Sequence, residues 1–142
     1  MMTKMKTHTT NYFDAFIQVA EDSPAKTGEV PPNKGPEKSV ASIQFEMISK
    51  EPYKYTSDDV LFQTYATRQG LDKSDLAAER EKFFSKGQAC LRASPLTKRY
   101  GWGVHSNSEG KVALYSLDSQ EYEKFSNDDK VETVKAMRSK RV

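Results

Sequence analysis

From Asn11 to Ala20 the chain reads NYFDAFIQVA, with Phe13, Ala15, Ile17 and Val19 alternating with Tyr12, Asp14, Phe16 and Gln18. A period of two predicts a half-buried strand, because successive strand side chains point to opposite faces. Phe16 on the mixed face indicates that both faces are partly covered. The alternation then stops. Pro24, Pro31, Pro32 and Pro36, with Gly28 and Gly35, fill positions 21–38, and proline's fixed φ and missing N–H allow neither a helix nor a central strand. A long surface loop is expected, either functional or simply mobile.

Helical spacing follows. Val40, Ile43 and Met47 share one face of a helix over 39–50, with Ser39 as N-cap and Pro52 as the stop. Ser57, followed by Asp58 and Asp59, opens a second helix with Leu61, Thr64, Tyr65 and Arg68 on one face and Gly70 at its end. A strand over 60–66 is the alternative. Asp72 or Ser74 opens a third through Leu76, Ala77, Arg80, Phe83 and Phe84, closed by Gly87. Between Arg99 and Leu117 the period returns to two. Tyr100, Trp102 and Val104 alternate, 106–110 turn the chain, and Val112, Leu114 and Ser116 bring it back. A short helix over 119–125 comes next. Positions 129–138 fit a helix through Val131, Val134 and Met137, or a strand through Val131, Thr133, Lys135 and Met137. The period does not choose between them.

Helices and strands are mixed without the βαβ rhythm of a parallel sheet. The expected class is α+β: a small, mostly antiparallel sheet, including the hairpin near 99–117, packed with three to four helices. A length of 142 residues suits one domain over 1–142. It would carry a flexible N-terminus 1–10, a Pro/Gly-rich loop 21–38 and a basic C-terminal tail 138–142.

Composition removes several function classes. The 22 basic and 20 acidic residues leave a net charge of +2, so only local clustering can favour a charged partner. No apolar run approaches the roughly 18 residues of a membrane span, and Lys4 and Lys6 precede no apolar core of a signal peptide. Cys90 is the only cysteine. An intrachain disulfide is therefore excluded, and a cytoplasmic location is expected. His8, His105 and Cys90 are too scattered to close a zinc site, so neither metal nor cofactor is expected. Triphosphate-loop and nucleophile-elbow patterns are absent, and GWG does not match a dinucleotide fingerprint. The pairs Asp58–Asp59 and Asp128–Asp129 sit where helices should begin, so capping accounts for them.

One asymmetry stands out. From Lys82 to Ser108 there is no acid, while Lys82, Lys86, Arg92, Lys98 and Arg99 are basic. If Tyr100, Trp102 and Val104 face one side of the hairpin, then Arg99, Gly101, Gly103 and His105 face the other. Glycines in a strand often mark close approach by a ligand, which suggests a shallow channel for an anion. The same glycines would equally let a helix pack on the sheet. The expected function is binding of an anionic ligand or nucleic acid on a basic face, with Arg92, Lys98, Arg99, Tyr100, Trp102 and His105 as contacts. A rival reading is an enzyme using Cys90 or His105 as nucleophile or general base. A third is a structural or homo-oligomeric protein using the aromatic hairpin face.

SPLTKRYGWGVHSNSEGKVALY, with NYFDAFIQVAEDSPAKTGEVPP and QFEMISKEPYKYTSDDVLF, resembles an uncharacterised bacterial family, domain of unknown function 6157. The resemblance covers nearly the whole chain. It implies a small stand-alone bacterial protein and brings no activity, cofactor or catalytic residue with it.

Overall fold

The computed structural model describes residues 8–32 and 38–139. Strands β1 (Ala15–Gln18), β2 (Trp102–Ser106), β3 (Val112–Ser116) and β4 (Glu132–Lys135) form one sheet in the order β3-β2-β1-β4. The β1–β2 and β2–β3 pairs are antiparallel, while β4 joins β1 in parallel. Around the sheet lie α1 (Val40–Lys50), α2 (Ser57–Gln69), α3 (Leu76–Phe84), the four-residue α4 (Pro95–Lys98) and α5 (Gln120–Ser126). The class is α+β with a mostly antiparallel sheet. No helix of the described residues is long and apolar enough to cross a membrane.

The ambiguous tail is a strand. Its two periods tie in sequence, and the edge of β1 decides between them. Four residues pair with it, and Ala136 N–H continues the ladder to the Gln18 carbonyl at 2.9 Å.

Register sets the content of each face. Ile17 pairs with Val104 and with Val134, and Val104 pairs with Leu114. This row meets α1 and α4 in a core that includes Ile48, Val60, Leu91, Leu96 and Val112. Each such side chain, removed from water, contributes about 1.5–3 kcal/mol. On the other face Phe16 pairs with His105, and His105 with Ala113. There α5 lays Tyr122 and Phe125 on Phe16, at centroid distances of 4.9 and 5.5 Å. Both sides of β1 are covered, and Phe16 is fully buried.

Several helix ends differ from the sequence expectation. Ser39 caps α1 as expected, accepting from Ser42 N–H at 3.1 Å. The cap of α2 is Thr56 rather than Ser57. Its hydroxyl accepts from Asp59 N–H, while the Asp59 carboxylate accepts from Thr56 N–H, both at 3.1 Å. This reciprocal pair satisfies two donors at once, whereas Ser57 turns inward to the Thr10 hydroxyl. Two cores also split the inward side of α2. Val60 joins the main core, while Phe62 and Ala66 form a second one with Phe84 of α3. Tyr65 and Arg68 are left outside. Gly70 ends α2 at φ +66°.

A 3-10 turn over Lys73–Asp75 leads into α3, which stops at Phe84 without reaching Gly87, because the Ser85 hydroxyl satisfies the Lys82 carbonyl at 2.6 Å. Asp128 and Asp129 begin no helix. They lie in the turn before β4, where the Asp128 carboxylate accepts from Lys130 N–H at 2.9 Å. Residues 8–10 are tied down, since Thr9 and Thr10 donate to the Asp58 carboxylate at 2.7 Å. Positions 1–7, 33–37 and 140–142 of the expected flexible N-terminus, proline loop and basic tail lie outside the described residues.

Candidate functional site

The acid-free run is built on α4, an element too short to leave a periodic signal. Pro95 presets the first helical φ. The Ser94 hydroxyl accepts from Leu96 N–H at 3.1 Å and donates to the buried Gln44 side chain at 2.5 Å. The Thr97 hydroxyl donates to the Leu91 carbonyl at 2.8 Å, and Leu96 is fully buried. These anchors leave Lys98 and Arg99 as the outer end of a fixed turn. Both line a hollow of about 250 Å³ with Ala93, Pro95 and Ser139. No acid lines it, and among the described residues neither cation is in an ion pair.

The C-terminal segment forms the far wall. Glu21 pairs with Arg138 and, at 3.2 Å, with Lys135. Those two bonds, Arg138 first, hold its carboxyl below the usual carboxylate range. Ser139 N–H donates to Asp22 at 2.9 Å. Arg92 stands beside this segment, its Nε donating to the Lys135 carbonyl at 2.7 Å and its own carbonyl accepting from Met137 N–H at 2.8 Å. Arg92, Lys98 and Arg99 are thus gathered at one end of the sheet, together with Lys135 and Arg138. In sequence Arg138 was visible only as part of the basic tail, and Lys135 only as a position of the ambiguous segment 129–138.

Tyr100, Trp102 and His105 do not join them. Tyr100 packs on the main core. Trp102 donates its Nε1 proton to the Glu29 carbonyl at 2.8 Å, and its ring lies against Phe45 at 5.4 Å. A Cβ at Gly28 would come within 2.8 Å of the same ring. The proline-rich loop is therefore cover for the tryptophan, and the hairpin face bearing Trp102 and Val104 is packed rather than presented.

The channel expected over Gly101 and Gly103 is filled. A Cβ on Gly103 would meet Phe16 at 2.5 Å and Tyr122 at 2.7 Å. Gly101 adopts φ +78°, with the Thr27 carbonyl 2.3 Å from where its Cβ would stand. Close approach of the chain's own atoms accounts for both glycines, rings at Gly103 and the Thr27 backbone at Gly101.

His105 belongs to a different cluster, under α5. Its ring stacks on Phe125 with centroids 4.0 Å apart at 15°. The Tyr53 hydroxyl sits 2.9 Å from His105 Nδ1 and 2.8 Å from the Tyr115 hydroxyl. Burial holds His105 below the usual histidine value, although the charges of Asp14 and Asp128 pull the other way. Burial, then the hydrogen bond with Tyr115, pushes the Tyr53 phenol well above its usual value. Tyr53 has φ +60°, a left-handed conformation that costs a bulky residue about 1–2 kcal/mol. Tyr115 could have been found from the hairpin register, which sets it opposite Gly103. Tyr53, arriving from the turn after α1, had no sequence signal. Cys90 is half-buried, with its Sγ 3.9 Å from the Tyr12 hydroxyl. Burial raises the Tyr12 phenol, Cys90 adds to this, and Arg92 opposes it.

The model of a family of unknown function, DUF6157, matches residues 7–142, and the chain belongs to that family. No match is found among curated proteins or solved structures.

Proposed function

Since membership in this family brings no activity with it, we propose from the residues alone that the chain is a binding protein for an anionic group, phosphate or carboxylate. Lys98 and Arg99 are the principal contacts and Arg92 a flanking one. The expected setting is a bacterial cytoplasm. One observation carries the reading: two cations without ion-pair partners among the described residues line the same acid-free hollow. Arginine's planar fork and lysine's point charge suit such a ligand. A hollow of about 250 Å³ is below the size of most small-molecule pockets. It suits the anionic group of a larger ligand, a nucleic-acid backbone included.

Titration at low salt with inorganic pyrophosphate and with a single-stranded oligonucleotide tests this. Binding should weaken as salt rises and fall about tenfold in Arg99→Ala, as expected for one charge-assisted bond. Pyrophosphate binding alone would mark a small-ligand site, while preference for the oligonucleotide would mark a backbone-tracking surface. Absence of both at low salt overturns the proposal.

A further inference from the structure

The second core, between α2 and α3, opens to the surface well away in sequence from Lys98 and Arg99. We infer that this opening binds a small planar aromatic anion of mononucleotide type. It is a hollow of about 490 Å³ with Tyr65 and Phe83 in its wall and Lys82 and Lys86 beside them. That volume lies within the range of small-molecule sites, about 300–1,000 Å³.

The aromatic wall is fixed in advance. Tyr65 is 36% exposed and Phe83 half-buried, and their ring centroids are 4.9 Å apart at 38°. Phe83 is held edge-on by Phe84 at 4.9 Å and by Phe62 at 5.7 Å. Its orientation therefore costs a ligand nothing to organise. An aromatic wall accepts the π-face of any flat ring.

The charge is positive, and its usual competitor is removed. Glu79, the one acid of the lining, already faces Lys82 at 3.7 Å. Lys86 is exposed and in no ion pair among the described residues. The C-terminal end of a helix ordinarily repels anions through its open carbonyls. At the end of α3 three of those carbonyls are occupied. Lys82 O accepts from the Ser85 hydroxyl at 2.6 Å, Phe83 O from Gln88 Nε2 at 2.7 Å, and Phe84 O from His8 N–H at 2.8 Å. Lys86, outside any ion pair among the described residues, acts on an incoming anion with that opposition reduced, and Lys82 adds to it from its contact with Glu79. A ring recognised by Tyr65 and Phe83, joined to an anion recognised by Lys86 and Lys82, describes one ligand class.

The test is an NMR titration of the full chain with AMP, adenosine and inorganic phosphate. AMP should shift the signals of Tyr65, Phe83 and Lys86 and bind about tenfold more tightly than either fragment. Lys86→Gln and Tyr65→Ala alter surface side chains, and each should weaken AMP about tenfold, with Tyr65→Phe restoring most of the loss. Arg99→Ala should leave AMP binding here unchanged, so failure of this site and failure of the basic hollow are read separately. The inference is overturned if AMP shifts nothing in this hollow, or if phosphate alone shifts the same Tyr65, Phe83 and Lys86 signals with equal affinity. It is equally overturned if Lys86→Gln and Tyr65→Ala keep native spectra and full affinity.

Discussion

The two faces of the sheet are packed by different means. Under α1 and α4 the row Ile17, Val104 and Leu114 meets Leu96, Ile48 and Val60, so the centre of this face is aliphatic and filled by volume, with Phe45, Tyr100 and Trp102 at its margin. Under α5 the same strands present Phe16, Gly103, His105 and Tyr115, a mixture of rings, an omitted side chain and a hydrogen-bonded chain of three polar groups. The first face tolerates no hole. The second tolerates polarity because every polar group on it has a partner, and no buried side-chain nitrogen or oxygen of the described residues lacks one. One sheet therefore shows that partial burial of a histidine and a tyrosine is compatible with close packing, provided the geometry is held from outside the strands. Tyr53 does the holding.

The largest effect should come from emptying the aliphatic face. Leu96→Ala, at a position with no exposure, should cost about 2–5 kcal/mol through lost transfer energy and the residual cavity. Denaturant unfolding measures it. A cost below that of the next variant would erase the distinction between the faces. Gly103→Ala asks the opposite question, since its methyl group would stand 2.5 Å from Phe16 and 2.7 Å from Tyr122. Overpacking of this kind should cost about 1–3 kcal/mol and should loosen α5 selectively, seen as faster amide exchange over 120–126.

The smallest effect is one of pH. His105 is held below its usual 6.5, chiefly by burial, so the folded state favours the neutral ring. Below pH 6.5 the unfolded chain takes up a proton that the folded chain resists. The contribution is whole above that value and drains away as pH falls through the folded value. Unfolding midpoints of the protein and of His105→Gln, followed from neutral pH into acid, should draw together. A gap that widens on acidification would mean the ring is charged in the fold.

The same contrast explains what could be read from the sequence. Local signals were enough for the hairpin, for the Ser39 cap, for the covering of Phe16 on both sides and for the acid-free stretch that carries Lys98 and Arg99. Each rests on residues a few positions apart. The channel over Gly103 failed because what fills it, Phe16 and Tyr122, comes from a neighbouring strand and from α5. His105 failed as a member of the basic group because a strand residue's company depends on which helix covers its face. The tail at 129–138 had two equal periods, and only the edge of β1 broke the tie. Tyr53 was invisible because a left-handed tyrosine after a proline has no propensity to announce it. Long-range pairing is what a single sequence hides.

The parallel pairing of β1 with β4 has a consequence for the timing of folding. β1 is interior to the sheet, yet Ala15 takes its two neighbours from Ser106 and Glu132, near the other end of the chain. During synthesis, Phe16 and Ile17 leave the ribosome long before either neighbour exists, while α1 and α2 can already associate. Non-local pairing of this kind is slow, because chain closure must precede any gain from contact. The nascent protein thus carries β1 unpaired until β2 emerges, and with one open edge until β4 follows. An unpaired edge is a template for other chains, so the arrival of β4, rather than formation of the helices, sets when that edge becomes safe from aggregation.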